Sequence, residues 1–361
     1  MIIKSLKLKN YRNYELLNLT FDPGTNILYG DNAQGKTNIL EALYLSGTTK
    51  SHRGTKDRDM IQFGYDESHL ETVVEKRGID FKIDMHLKKN SPKGIAIDKV
   101  PIRKAGELFG LVHFIFFSPE DLDIIKDGPA ARRRFIDLEL SQLDKVYLSN
   151  LSNYNRVVNQ RNSLLKEIAY QDKLLDTLDI WDMQLEQYGT KVIEGRKKFI
   201  SQVNEIISGI HDQLTGGKET ITLLYEPSTG DETMEASIRR NRERDIRFRS
   251  TTSGPHRDDI CFKNGSIDIR KFGSQGQQRT AALSLKLSEI ELVKRQINDT
   301  PVLLLDDVLS ELDKNRQNYL LDSIHDIQTI ITCTGLDEFV NHRFSINKVF
   351  HVNNGSVAKE N

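Results

Sequence analysis

The chain has 361 residues, 37% of them hydrophobic and 29% charged, with a formal net charge of −1. That length exceeds what one hydrophobic core usually organises, so two compact units are expected. The near-neutral charge argues against a globally basic DNA-coating protein and confines any nucleic-acid contact to a local patch. Two cysteines, Cys261 and Cys333, and nine histidines form neither a disulfide framework nor a metal-type spacing. Both cysteines are read as small core residues in a reducing compartment. No apolar run is long enough to span a bilayer, and no signal-peptide core follows Met1, so a cytoplasmic protein without membrane association is expected.

In chain order, strands are predicted at residues 2–8, 17–21 and 26–29, then a helix at 36–45 with Ile39, Leu40, Ala42 and Leu43 on its apolar side. Short strands at 70–76, 81–87 and 94–97 are joined by the polar turns Arg77-Gly78 and Asp98-Lys99, which predicts antiparallel hairpins. A buried strand follows at 111–117. From about residue 120 to 214 the spacing turns helical, with a break at 170–173 that predicts a short helical hairpin rather than a long coiled coil. A strand at 220–225, a basic helix at 234–247 and a hairpin around Asn264-Gly265 come next. A helix at 277–295 leads to buried strands at 302–306 and 329–332. The organisation expected is one α/β unit, residues 1–118 and 250–361, split by a helical insertion at 119–249.

Three motifs carry chemistry. Gly30-Asp31-Asn32-Ala33-Gln34-Gly35-Lys36-Thr37 fits G-x-x-x-x-G-K-[ST] and sits between a predicted strand and helix. Its glycines let backbone N–H groups point at phosphates, and the helix N-terminus adds positive charge. ATP with Mg2+ is the expected ligand: Lys36 reaches the β- and γ-phosphates and Thr37 ligates magnesium. The second motif is the apolar strand 302–306 ending in Asp306-Asp307. At the carboxyl edge of a parallel sheet, Asp306 is expected to hold magnesium and Asp307 to orient or deprotonate the attacking water. Lys36 and Asp307 are the expected catalytic residues. The third, Gly273-Ser274-Gln275-Gly276-Gln277-Gln278-Arg279-Thr280, is by itself only a polar loop feeding a helix, with Ser274 able to cap it.

Taken together, the three motifs resemble the ABC ATPases, with Ser274 and Gly276 at the signature positions and Ser310-Glu311-Leu312-Asp313 like a D-loop. Further residues make the resemblance specific: Asn10–Tyr14, Ser51-His52-Arg53, Phe117–Asp121, Gly254–Asp259 and Gly273–Arg279 together look like the RecF family, relatives of the SMC ATPases. The likeness covers essentially the whole chain. It implies an ABC-type P-loop ATPase head with mixed sheets and an inserted helical subdomain. It also implies a homodimer closed over ATP, with Ser274 and Gly276 of one copy on the γ-phosphate held by the other. Arg12 and Asn13 would lie beside the nucleotide. The implied role is DNA binding in replication, recombinational repair and the SOS response, at single-stranded, gapped or duplex-junction DNA. The mediator RecR would be the partner in loading recombinase, and ATP hydrolysis would be slow and DNA-stimulated.

Three positions depart from the wider ABC pattern. Asp307 stands where most members have glutamate, Cys333-Thr334 where many have a switch histidine, and Phe117-Ser118-Pro119 where a Q-loop glutamine is expected. Thr332 or Thr334 offers a hydroxyl near the switch position. Arg239, Arg240, Arg242, Arg244, Arg247 and Arg249 form the densest basic run. It is either a DNA contact or a solvated helix face. Arg132–Arg134 and Arg196–Lys198 are read as structural or dimer contacts. No aromatic is read as interleaving with these clusters, so base stacking is not expected. His52, Arg53, His256 and Arg257 either line a functional face or fix loop geometry, the second being preferred. The rival function, the nucleotide-binding subunit of an ABC transporter, leaves the long insertion and the arginine run unexplained.

Overall fold

The structure is a computed structural model that describes residues 1–168, 170–335 and 346–360. Strands β1 (Ile2–Tyr11) and β2 (Tyr14–Thr20) pair antiparallel about Arg12-Asn13, and β3 (Thr25–Tyr29) leads through the glycine loop into α1 (Lys36–Thr48). Next come β4 (Glu67–Lys76), β5 (Ile79–Lys88), β6 (Gly94–Ile97), β7 (Val100–Pro101) and β8 (Phe114–Phe117). The turns Arg77-Gly78 and Asp98-Lys99 all take positive φ, the torsions that match two-residue loops to strand twist. The middle of the chain holds α2 (Asp123–Lys126), α3 (Pro129–Leu143), α4 (Lys145–Ile168), α5 (Leu178–Thr215), β9 (Thr222–Glu226) and α6 (Met234–Phe248). It continues with β10 (Asp259–Asn264), β11 (Ile267–Asp268), α7 (Ile269–Phe272) and α8 (Gln275–Ile297). Last are β12 (Val302–Asp306), α9 (Lys314–Ser323), β13 (Thr329–Cys333), β14 (Lys348–Asn353) and β15 (Ser356–Glu360).

Two compact units result: Met1–Asp121 with Glu289–Asn361, and Leu122–Ser288. The first boundary lies close to the expected one. The second is corrected from residue 249 to 288, so the loop with Ser274 and Gly276 belongs to the inserted unit. The strands ahead of that loop join the insertion's sheet: β10 pairs with β9 on one side and β11 on the other.

In the first unit, an antiparallel sheet has the order β2-β1-β4-β5-β6-β7, and a second sheet runs β15-β14-β3-β13-β12-β8. Its strands from β14 to β8 are parallel. Helix α1 packs against strands of both sheets, which explains why nearly all of it is buried rather than one face. β12 and β13 are buried along their whole length, as a parallel sheet covered on both faces requires. Their register sets Asp306 beside Thr332 and Cys333 beside Tyr29. The carboxyl ends of β3, β12 and β13 therefore meet at one edge.

The inserted unit is a hairpin of α4 and α5, with α6 against both and the sheet β11-β10-β9. Two buried arginines tie it together. Arg161 on α4 donates to Asp182 (2.7 Å) and Asp245 (2.7 Å), and Arg196 on α5 forks onto Asp137 (2.8 Å). Truncating one partner of a buried pair leaves an uncompensated charge. Arg161→Ala is therefore expected to cost about 3–5 kcal/mol in urea unfolding of this unit; an unchanged midpoint would contradict the assignment.

Candidate nucleotide site

The loop between β3 and α1 has little freedom. Gly30 takes φ +148°, and a Cβ there would lie 2.2 Å from the Val352 carbonyl oxygen. Gly35 takes φ +115°, and its Cβ would fall 2.5 Å from Asn13 Nδ2. Both positions demand glycine on torsion and on space. Ala33 also lies at positive φ, 65°.

The loop is held from outside by two turns. Asn13 Nδ2 donates to the Gln34 carbonyl (2.9 Å), and Asn38 Nδ2 donates to Asn13 Oδ1 (2.9 Å). From the β14–β15 turn, the Asn354 N–H donates to Gln34 Oε1 (2.6 Å) and the Gly355 N–H to the Gln34 carbonyl (3.3 Å). Arg12 stands differently. Its guanidinium forks onto the buried Glu41 of α1, at 2.8 Å to each carboxylate oxygen. Glu41 also accepts from Ser51 Oγ (2.6 Å) and Tyr11 OH (3.2 Å). Burial alone would lift the Glu41 carboxyl, but the hydrogen bonds from Arg12 and Ser51 outweigh it and hold it below the usual range. Arg12 thus locks the β1–β2 turn to α1.

Inside the loop, Lys36 Nζ donates to the carbonyls of Gly30 and Asp31 (2.8 Å to Asp31). Burial holds its ammonium below the usual lysine range, opposed by the charges of Asp307 and Asp306. Thr37 Oγ1 donates to Asp306 Oδ1 (2.8 Å), and Thr332 Oγ1 donates to the same oxygen (2.7 Å). Thr332 Oγ1 also accepts from the Asp307 N–H (3.0 Å). Asp307 has φ 53°, a strained left-handed torsion that breaks the strand after Asp306 and turns its carboxylate along the same cavity. Among the described residues no side chain caps the N-terminus of α1 and its first turn holds no acid, which suits that helix end to an anion.

These groups line a cavity of about 210 Å³ that includes Asn32, Ala33, Gly35, Lys36, Thr37, Asp306 and Asp307. Asn38, Arg53 and Thr332 complete its lining. Gly30, Asp31 and Gln34 shape the loop from behind, and Arg12 and Asn13 brace it. Thr37 Oγ1 and the Asp306 carboxylate supply hard oxygen donors side by side, a set suited to magnesium that keeps most of its shell from phosphates and water.

Sequence reasoning misses Asn38 and the β14–β15 turn. His52 and Arg53 share one expectation, a functional face or a loop-fixing role, the second preferred. They separate: His52 is half-buried, stacked on Phe116 at 4.0 Å with its pKa pushed down to about 4 by desolvation, while Arg53 reaches the cavity. Thr332, of the two switch candidates, is the one bonded to both acids; Thr334 is exposed.

In the inserted unit, Ser274 and Gln277 form a reciprocal cap on α8: the Ser274 N–H donates to Gln277 Oε1 (2.9 Å) and the Gln277 N–H to Ser274 Oγ (3.2 Å). Gly276 is exposed, and a Cβ there would meet only Ser274 Oγ at 3.9 Å. Among the described residues nothing requires glycine at that position. Arg132 (to Asp259, 2.6 Å), Arg133 (to the Asp258 carbonyl, 2.7 Å) and Arg196 are structural. His256 Nδ1 bonds Tyr154 OH (2.7 Å), fixing its loop. The expectation that no aromatic interleaves with the arginine run is corrected: Phe248 lies within it, under the guanidiniums of Arg244 and Arg247.

Fold and cavity define a P-loop ATPase head of the ABC type carrying an inserted lobe. The family described as RecF/RecN/SMC N terminal domain matches residues 2–358. The DNA replication and repair protein RecF of Agathobacter rectalis is 65% identical over 357 residues, covering 99% of each chain. That of Clostridium perfringens is 45% identical over 99% of each. The solved recombination mediator protein RecF-ATP in the RecFOR pathway superposes with TM-score 0.93 at 34% identity, covering 100% of this chain and 98% of that one. The Smc head domain of Pyrococcus furiosus shares the fold at TM-score 0.58 and 14% identity, over 99% of this chain and 96% of that one. The chain belongs to the RecF family.

Burial raises the Asp306 carboxyl above its usual pKa, against the hydrogen bonds from Thr332 and Thr37 and the charge of Arg53. A carboxyl raised in the folded state costs stability once pH passes the unfolded value, and the full cost is present above the folded value. Asp306→Asn keeps an acceptor for both threonines and removes that cost. The variant is expected to melt higher than the parent at pH 7 and to lose this advantage below about pH 3.8, as read by calorimetry without nucleotide. A lower melting temperature at pH 7 would contradict the burial argument.

Proposed function

We propose that the protein is an ATP-gated DNA-binding switch of replication and recombinational repair. The observation that carries the reading is the Thr37–Asp306–Thr332 hydrogen-bonded set beneath a glycine loop whose lysine faces the same cavity. ATP binds with its phosphates on the N–H groups of residues 30–37. Lys36 exchanges its carbonyl partners for the β- and γ-phosphates. Thr37 and Asp306 would hold magnesium, which would supply positive charge against the phosphates. Asp307 orients the attacking water from an arm one methylene shorter than a glutamate's, which favours slow turnover. The likeness to a solved RecF-ATP structure supports the nucleotide.

Two copies close over the nucleotide, each presenting Ser274 and Gly276 to the γ-phosphate bound by the other. The exposed Gly276 supports this: a Cβ there would meet only Ser274 Oγ at 3.9 Å, so no described neighbour needs the space. The closed dimer binds gapped, single-stranded and duplex DNA in the cytoplasm. It works with RecR to load recombinase and so supports the SOS response. Among the described residues no helix is long and apolar enough to cross a membrane. A transporter subunit would leave the arginine-rich α6 without a role.

Sedimentation with a non-hydrolysable ATP analogue and Mg2+ is expected to shift the protein from monomer to dimer. Lys36→Ala abolishes the shift. Gly276→Ala folds at least as stably but associates less. Asp307→Asn retains the dimer and lowers turnover about a hundredfold or more. Anisotropy with gapped DNA should show ATP-dependent binding that falls steeply with salt. A monomer in all conditions, or DNA binding indifferent to ATP, would overturn the reading.

A further inference from the structure

The arginine run on α6 divides into two halves. In the first, acids neutralise each cation: Arg239 pairs with Glu235 (3.1 Å), Arg240 with Glu232 (2.5 Å), and Arg242 with Asp179 and Asp182 (3.1 Å to Asp182). In the second, Arg244, Arg247 and Arg249 make no ion pair or side-chain hydrogen bond among the described residues. Their guanidiniums lie over aromatic rings instead. Arg244 and Arg247 sit 5.8 and 5.0 Å from the Phe248 centroid, and Arg249 sits 5.6 Å from that of Tyr170. Both rings face solvent, Phe248 at 57% and Tyr170 at 79% exposure.

The support beneath is rigid. Buried Asp245, one turn before Arg249, accepts from Arg161 Nη1 (2.7 Å), the Thr252 N–H (2.9 Å) and Thr252 Oγ1 (2.6 Å). Ile246 packs on the cluster of Leu165, Ile168 and Leu178. Arg249 ends the helix at φ 54°, a left-handed position where glycine is the usual residue. A long cationic side chain is kept there against that backbone preference, and it is the one that covers Tyr170.

We propose that the C-terminal end of α6 and the Tyr170 turn form a stacking platform for unpaired bases of single-stranded nucleic acid. The rings take the faces of successive bases, and Arg244, Arg247 and Arg249 take the phosphates between them. The chemistry selects this ligand. An acidic peptide needs the cations but not two open rings, and a duplex hides its base faces within the stack. Planar guanidiniums held over rings remain free to bind phosphate oxygens. The proposal rests on the DNA-binding reading above and assigns the unpaired strand to this surface.

The full-length protein is tested with oligothymidylate, an abasic oligonucleotide of the same length, a duplex and a glutamate-rich peptide. Phe248→Ala with Tyr170→Ala is expected to weaken oligothymidylate binding about tenfold or more, leaving the abasic strand and the duplex bound as before. Arg249→Gly relieves the backbone torsion, so it should melt no lower than the parent while binding oligothymidylate more weakly. Light-driven cross-linking of iododeoxyuridine oligonucleotide to the parent protein should map to Phe248 or Tyr170. Equal losses on thymidylate and abasic strands, ring-dependent binding of the acidic peptide, or cross-links confined elsewhere would overturn the platform. If the variants bind every DNA like a parent that binds gapped DNA with ATP, the platform alone fails. If the parent binds no DNA in any state, the DNA-binding reading fails with it.

Discussion

One buried carboxylate organises the site. Asp306 accepts hydrogen bonds from Thr37 at the start of α1 and from Thr332 on β13, so three segments far apart in sequence meet on a single oxygen. Thr332 then holds the Asp307 backbone, which sets the left-handed torsion that turns the second acid along the cavity. The arrangement is costly without a ligand, since desolvation works against the Asp306 charge and against the Lys36 ammonium alike. A ligand carrying both a cation and phosphates would relieve both costs, and on the proposed function this ties the packing of the parallel sheet to its chemistry.

The glycine loop is preset by its surroundings. Gln34 is held by Asn13 on one side and by the Asn354-Gly355 turn on the other, while Val352 closes the space above Gly30. Arg12, through Glu41, fixes the turn that carries Asn13. The two ends of the chain thus grip its phosphate loop. Preorganisation of this kind lowers the ordering cost that binding would otherwise carry.

Much of this was legible in the sequence. The strand–loop–helix of residues 26–45, the acid-ended strand at 302–306, the basic helix and the hairpin break near residue 170 are all present within a few residues of their expected bounds, because each has a local cause. The failures also have physical reasons. The C-terminal hairpin carries Asn354-Gly355, a two-residue turn signal that was available, but its strands are short and one is an edge strand. Arg53 and His52 are adjacent in sequence and face opposite environments, which only the packing of Phe116 decides. Phe248 stood in plain view between Arg247 and Arg249; its meaning came from its exposure. The boundary at residue 288 was illegible because α8 runs through it unbroken.

On the proposed function, residues 30–37 with Asp306 and Asp307 form a nucleotide–magnesium site. Titration calorimetry of ATP, run with Mg2+ and with a chelator, tests it most directly. Saturation is expected at one ATP per chain, with weaker binding when the metal is removed and loss of that metal dependence in Asp306→Ala with Thr37→Ala. ATP binding of equal strength with and without magnesium, or a double variant that responds to the metal like the parent, would contradict it.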